Sequence, residues 1–411
     1  MTEQRRPLEG IKVFDLTAWM VGPWASRYLG ALGADVLHVE RPGTPLAKLG
    51  RVPPMIKDTS IGYLAWNFNK RGLALDLKDP GHRAFAHALI KECDVFLINM
   101  RPGVAERLGL GYEELAAEND RLVYCSVTGW GTEGPMAAKQ GADTHLQAYS
   151  GFWSVNGTEG GRPEYYRHYT QLDASTGNYA TQAILFALVG RNRTGKGRRI
   201  DITMLEASAA VQTLGLATAM VRDTDLEPLG SAGRWAAPDE AFECQDHRYL
   251  GISATTDQQW HSLCQAVGRP DLAGREEFAG NRGRVAHRAQ LRAELSPVIA
   301  QMPRAYWCLQ LDRHAVPYGY LLDFDELRRH EQVRDNDYLV EVDAGFWDRV
   351  WTGGSPWRFD RYRTAWFAPP LPGEHTDEIR AEFPAAAAAG DRAAAAADDR
   401  AAAAADAAGD R

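Results

Sequence analysis

The N-terminal half of the chain alternates short apolar runs with stretches whose apolar residues recur at helical spacing. Runs at Ile11–Leu16, Asp35–Glu40, Gly72–Leu77, Asp94–Asn99, Leu122–Thr128 and Ile200–Thr203 have the length and the flanking turn residues of strands. Between them, Pro23–Leu32 carries a proline at a first-turn position and is stopped by Gly33. Asp79 is placed to cap a helix from Pro80 to Glu92, and Ala180–Val189 is again periodic, through Ala183, Ala187 and Leu188. Strands alternating with helices predict βαβ units, and so an α/β fold with a Rossmann-like large domain on a mostly parallel sheet. Ligands of such sheets bind beyond the C-terminal ends of the strands. Arg41, Lys78, Asn99 and Arg101 each fall just after a predicted strand, which gathers them at one edge.

The pattern changes after residue 222. Asp223–Trp235 is polar and broken by Gly and Pro, as in a linker or a long functional loop. Phe242–Gln245 and Tyr249–Ile252 form an expected hairpin around Asp246-His247-Arg248, and helical patterns follow at Asp257–Val267, Gly283–Met302 and Pro303–His314. The expected organisation is a large domain beginning over 1–225, a smaller α/β domain over 226–325, and a return to the large domain over 326–383. The tail, 384–411, is a low-complexity run of alanines punctuated by Asp-Arg pairs. Alanine favours helix, but the tail has no large side chain to bury, so a disordered or dangling segment with no catalytic part is expected.

Composition narrows the function. A net charge of -8 argues against a general binder of nucleic acid or of anionic membranes, while leaving room for a local basic pocket. The five cysteines (Cys93, Cys125, Cys244, Cys264, Cys308) are odd in number and form no CxxC pair. That spacing speaks against a disulfide framework and a structural zinc site, and fits a reducing, cytoplasmic setting. Met1–Pro7 is polar and basic, unlike a signal peptide, and no apolar stretch has the length of a membrane span. The Asn-x-Thr triplets at Asn156 and Asn192 then carry no meaning for glycosylation.

Two nucleotide motifs fail on inspection. The turn after the first strand, Asp15-Leu-Thr-Ala-Trp-Met-Val-Gly22-Pro23, lacks Gly-x-Gly-x-x-Gly, so a nicotinamide or flavin site is not expected. Gly190-Arg-Asn-Arg-Thr-Gly195-Lys196 has P-loop spacing, but Gly197 stands where magnesium needs Ser or Thr, and the segment joins a helix to a strand rather than the reverse.

The chemistry concentrates in Tyr166–Ala207 and there in Asp173, which precedes Ala174, Ser175 and Gly177 and opens a helix. From spacing alone Asp173 is a helix cap or first-turn residue, with small neighbours that let a ligand approach. The segment Leu172-Asp173-Ala-Ser-Thr-Gly177, with the turn Thr194-Gly-Lys-Gly197, resembles the active-site region of the class III CoA-transferases, the CaiB/BaiF family. The resemblance continues through Leu8-Glu-Gly10, Leu32-Gly-Ala-Asp35, Glu40-Arg-Pro-Gly43, Asn69-Lys-Arg71, Leu75-Asp-Leu-Lys78, Arg101-Pro-Gly103, Arg107-Leu-Gly109, Gly129-Trp-Gly131 and Pro372-Gly-Glu-His-Thr376. It therefore runs in order from about residue 8 to about residue 380, and no single motif carries it.

The resemblance implies an acid whose CoA is exchanged. Asp173 would attack an acyl-CoA thioester and pass through an aspartyl anhydride and an aspartyl-CoA thioester, with CoA esters as substrate, no permanently bound cofactor and no metal. Backbone N–H groups at the start of the helix after Asp173 are the expected oxyanion donors. Positions resembling family CoA contacts are Met20, Arg41, Leu75, Lys78, Asn99, Met100, Arg101 and Arg107: cations for the phosphates, the Asn99–Pro102 turn for the adenine, Met20 near the thioester beside Trp19. Leu229–Trp235 corresponds to a loop that shields intermediates in some relatives, and the family forms homodimers of interlocked chains. Tyr165, Tyr166, Arg167, His168 and Tyr169 are candidates for the acyl pocket: Arg167 or His168 suits a second carboxylate and the tyrosines an aromatic or amphipathic acid, and the reading leans to a dicarboxylic or hydroxy acid. Two alternatives stand beside the transferase. Racemases of the same family use a Gly-His-Asp histidine, where this chain has Gly141-Ala142-Asp143, with His145 two residues on. A CoA-binding protein without catalysis would have no need of Asp173.

Overall fold

The computed structural model describes residues 6–49, 53–166, 170–359 and 364–409. The chain divides into two compact units, Met1–Ser150 with Tyr166–Val221 and Asp337–Arg411, and Gly151–Tyr165 with Arg222–Asn336.

In the first unit, strands β1 (Lys12–Leu16), β2 (Asp35–Glu40), β3 (Arg71–Ala74), β4 (Val95–Ile98), β5 (Val123–Thr128) and β6 (Arg198–Thr203) form one parallel sheet in the order β3-β2-β1-β4-β5-β6. Phe14 pairs with Leu37 on one side and Phe96 on the other, and all three are fully buried. Helices on both faces leave no solvent side, which is why the central strands read as unbroken apolar runs. The chain leaves β1 toward β2 and β3, then crosses back to lay β4 on the other side of β1. Strand order thus reverses between β1 and β4, and the C-terminal ends of these two strands flank a crevice.

Helices of this unit include α1 (Val21–Ala31), α2 (Pro80–Ile90), α3 (Val104–Arg107), α4 (Asp143–Tyr149), α5 (Gln171–Thr194), α6 (Met204–Val211) and α7 (Thr213–Arg222). Asp79 caps α2 as its spacing predicts, accepting from the His82 N–H at 2.8 Å. α5 carries Asp173 and lies against α1. A Cβ on Gly177 would sit 2.7 Å from the Val21 carbonyl oxygen, and the Thr181 hydroxyl donates to the Ala25 carbonyl at 3.4 Å. The small residues after Asp173 therefore serve the close packing of α5 on α1. No single helix among the described residues is long and apolar enough to cross a membrane; the α6–α7 pair is bent by 71°.

The second unit holds an antiparallel sheet of β7 (Asp239–Glu243), β8 (Tyr249–Ser253) and β9 (Tyr318–Leu321) in the order β9-β8-β7. It packs with α8 (Asp257–Ala266), α9 (Arg288–Ile299) and α10 (Arg304–Arg313) around Trp260, Leu263, Phe278, Leu291, Leu295 and Trp307. The periodic stretch 283–302 is interrupted at His287, so α9 begins only at Arg288. The short segment Gly151–Tyr165 joins this unit, through Gly230 N–H to the Gly157 carbonyl at 2.9 Å and an Arg292–Glu159 ion pair at 2.7 Å. Within Leu229–Trp235, the Gly233 N–H is held by the Asp239 carbonyl at 2.6 Å.

The chain re-enters the first unit through the hairpin β10 (Leu339–Asp343) and β11 (Arg349–Gly353), and ends in α11 (Pro384–Gly409). The beginning of α11 is neither disordered nor dangling, contrary to the composition-based expectation. Ala386 is 1% exposed and joins the core with Phe85 and Phe383. Gly390 faces Gly81 across α2 so closely that a Cβ on it would lie 2.9 Å from the Gly81 carbonyl oxygen. Small side chains let the two backbones approach, and that close packing replaces the large side chains the tail lacks.

Candidate active site

Asp173 is the third residue of α5, half-buried, with Thr170 in the N-cap position. The first N–H groups of a helix have no partner within it. Here the Leu172 and Asp173 N–H groups donate to one carboxylate oxygen of Asp143, at 2.8 and 3.2 Å. Asp143 opens α4, and its other oxygen accepts from the Gln147 amide. Gln147 in turn holds Tyr166, accepting from its N–H at 3.0 Å and donating to its carbonyl at 3.2 Å. The clamp fixes the chain on either side of residues 167–169. The Leu172 and Asp173 N–H groups are thus taken by Asp143, while the Ala174 N–H that follows Asp173 donates to the Thr170 carbonyl at 3.0 Å.

Two glycines place Asp143. A Cβ added to Gly141 would sit 2.6 Å from the Gly129 Cα, so the loop before α4 and the loop after β5 cross in backbone contact. No other residue type permits that crossing.

Burial, and next the Asp143 carboxylate, push the Asp173 carboxyl up to about 7, against a hydrogen bond from the Thr170 hydroxyl. The Thr170 hydroxyl also contacts the Met20 sulfur, linking the loop after β1 to the start of α5.

Asp173 opens into a cavity of about 820 Å³ at the β1/β4 crevice, also lined by Met20, Asn99, Met100 and Arg101. Asn99 ties the two strand ends together, accepting from the Ala18 N–H at 3.0 Å and donating to its carbonyl at 2.7 Å. Arg101 donates to Gln140 at 3.3 Å. Arg41 lines a smaller adjoining cavity of about 270 Å³ that shares Thr17, Ala18, Trp19 and Val39 with the first. It is paired with Asp76 at 3.0 Å, and Asp76 also accepts from the Lys78 N–H at 3.1 Å. Lys78 and Arg107 are exposed and line neither cavity. Leu75 is 3% exposed within the sheet's core, so its side chain faces away from a ligand there. Tyr165 and Tyr166 are absent from the cavity wall, and Arg167, His168 and Tyr169 lie outside the described residues.

Residues that sequence reasoning passed over complete the wall: Thr17, Trp130, Lys139, Gln140 and Thr170. Beneath it is a buried polar cluster. Asp15 accepts from Thr17, from Ser26 at 2.6 Å, from His38 Nδ1 at 3.0 Å and from Lys70 at 3.1 Å. Burial alone would raise the Asp15 carboxyl, but Lys70 and His38 outweigh it and hold it well below its ordinary value. With its lone pairs filled, this cluster anchors the loop that carries Thr17 to Met20, in which Trp19 adopts a left-handed φ of 66°.

Comparison with known proteins decides the family. Residues 8–376 match the model of CoA-transferase family III. The chain belongs to that family. It is 32% identical over 381 residues to the succinyl-CoA:glutarate CoA-transferase of Mus musculus, covering 92% of this chain and 87% of that one. It is likewise 32% identical over 384 residues to the acetyl-CoA:oxalate CoA-transferase of Acetobacter aceti, covering 93% and 97%. Among solved structures, a CaiB/BaiF family protein from Brucella suis superposes with a TM-score of 0.82 at 30% identity, covering 92% of this chain and all of that one.

Proposed function

We propose that this family III CoA-transferase moves CoA from an acyl-CoA thioester to a dicarboxylic or hydroxy acid through covalent intermediates on Asp173. The observation that carries the reading is the half-buried Asp173 carboxylate in the wall of the crevice at the strand-order switch, on a helix start fixed by Asp143. One Asp173 oxygen bonds to the acyl carbon, the C–S bond breaks, and CoA leaves as thiolate. The thiolate then attacks the Asp173 carboxyl carbon, releasing the donor acid and leaving an aspartyl-CoA thioester. The acceptor acid reverses the sequence. A carboxyl titrating near 7 is a stronger nucleophile than an ordinary one and is still ionised in a large share of molecules at neutral pH.

By resemblance to the family, Arg41, Lys78 and Arg107 serve the phosphates of CoA, and the turn Asn99-Met100-Arg101 serves the adenine. Met20 adjoins the thioester end, beside Thr170. The diacid preference is supported by relatives named for glutarate and oxalate. We also place the enzyme in the cytoplasm as a homodimer, by resemblance to its family. The racemase alternative finds no support: Ala142 stands on the cavity wall at the histidine position, and His145 is exposed and outside that wall.

The test is a CoA-exchange assay with succinyl-CoA against a panel of acids, for the wild type and Asp173→Ala. Exchange into diacids that vanishes in the variant supports the reading. Preference for neutral monocarboxylates removes the substrate assignment, and α-proton exchange in D2O without an acceptor would restore the racemase.

A further inference from the structure

Asp143 lies outside the bond-making steps just described, yet its geometry is that of a purpose-built neighbour. It is 5% exposed, accepts the first N–H groups of α5, and is held from behind by Gln147. A neutral side chain would cap α5 as well: Ser and Asn are as good at helix starts as Asp. What distinguishes the aspartate is a fixed negative charge beside a carboxylate that must itself be negative before each turnover. Two carboxylates at one helix start repel.

We propose that Asp143 is a positioning residue whose fixed charge drives Asp173 toward its neutral, acylated states. When Asp173 attacks the thioester, its C–O bond forms, the C–S bond breaks, and the negative charge moves from the Asp173 carboxylate to the CoA sulfur. The resulting anhydride is neutral, and so is the aspartyl thioester that follows when the thiolate displaces the donor carboxylate. The first conversion relieves the Asp143–Asp173 repulsion, the second keeps it relieved, and it returns only when the CoA thiolate takes the acceptor acyl group and frees the carboxylate. The device stabilises the covalent intermediates without contacting them.

Among the described residues, the charged groups on the elements packed against α5 are Arg27 on α1, Asp143 and His145 on α4, Glu206 on α6, and Arg198, Arg199 and Asp201 on β6, while Arg101 and Lys139 stand on the cavity wall. Of these, Asp143 is the one whose charge acts on the Asp173 carboxyl, and it acts in the same direction as burial.

This inference rests on the covalent reading above, and one experiment separates their failures. The protein is incubated with succinyl-CoA between pH 4 and 9 and quenched with hydroxylamine, and the Asp173 hydroxamate is quantified by mass spectrometry. The wild type is expected to label with a midpoint near 7. In Asp143→Asn the midpoint moves to lower pH, and at pH 8 the labelled fraction relative to free Asp173 falls about tenfold for each pH unit of that move, because protonation and acylation neutralise the same charge. The Asn amide faces the donating Gln147 amide, so Asp143→Ser, which keeps a capping oxygen, is made in parallel. Gln147→Leu loosens the clamp but keeps the charge, and its midpoint does not fall.

A wild type that never labels at Asp173 removes the covalent reading itself. A wild type that labels with a midpoint near 3.8 overturns the inference and leaves the covalent reading standing, and this outcome is decisive even where neither Asp143 variant folds. Unchanged midpoint and labelling in Asp143→Asn or Asp143→Ser, or a fall in Gln147→Leu as large as in Asp143→Asn, also overturn it, since the role would then be structural.

Discussion

Replacing Asp173 by Asn should abolish exchange and at the same time stabilise the fold at alkaline pH. Burial and then Asp143 raise the folded-state carboxyl from 3.8 to about 7. Such a shift disfavours the ionised form by about 4 kcal/mol. Hydration of the part of the side chain that faces the cavity discounts this to about 2 kcal/mol. A raised acid contributes stability that is complete below its unfolded value and lost as pH rises through its folded value. The wild type therefore carries the full cost only above pH 7, and Asn, which never ionises, carries none. Thermal unfolding of wild type and Asp173→Asn at pH 8.5 and pH 5 reads this difference. The variant should melt about 2 °C higher at pH 8.5, and the gain should shrink at pH 5. No gain at pH 8.5, or the same gain at both values, would refute the electrostatic account of the site.

Three further outcomes follow from the packing. Ending the chain after Phe383 uncovers Phe85 and removes the Arg380–Asp391 ion pair; equilibrium denaturation should show a loss of about 2 kcal/mol, with turnover per folded molecule unchanged. Lys70→Met leaves Asp15 buried without its ammonium partner, so stability in urea should fall by about 3 kcal/mol, far more than for a surface lysine. Arg101→Ala should raise KM for succinyl-CoA about tenfold and leave kcat within about twofold, the cost of one charge-assisted hydrogen bond to the ligand.

Much of the sheet was legible because buried parallel strands are apolar runs and helix starts announce themselves with Asp79 and Pro80. The placement of Asn99 and Arg101 after β4 followed from the same logic, and both line the crevice. What stayed hidden depends on contacts far apart in sequence. Asp143 caps a helix through Leu172, 29 residues later, and its triplet drew notice only for the histidine it lacks. Lys70 stood out only as part of the Asn69-Lys-Arg71 motif, yet it is buried against Asp15, 55 residues away. Leu75 was assigned to a ligand by position, whereas its side chain completes the core. The tail defeated reasoning from composition because Gly390 and Ala386 bind by closeness of approach, which carries no periodic signature. The segment Gly151–Tyr165 joins the second unit through a glycine carbonyl and Glu159, neither of which marks a boundary in sequence.

The central claim is that Asp173 is the covalent carrier. Digestion and mass spectrometry of the protein, incubated with succinyl-CoA and with an acid acceptor withheld, then reduced with borohydride, test it most directly. The account predicts a donor-dependent mass change confined to the Asp173 peptide, consistent with reduction of an activated carboxyl to the alcohol and absent with free CoA. Unmodified Asp173 under conditions where CoA exchange into an added acid proceeds would contradict it.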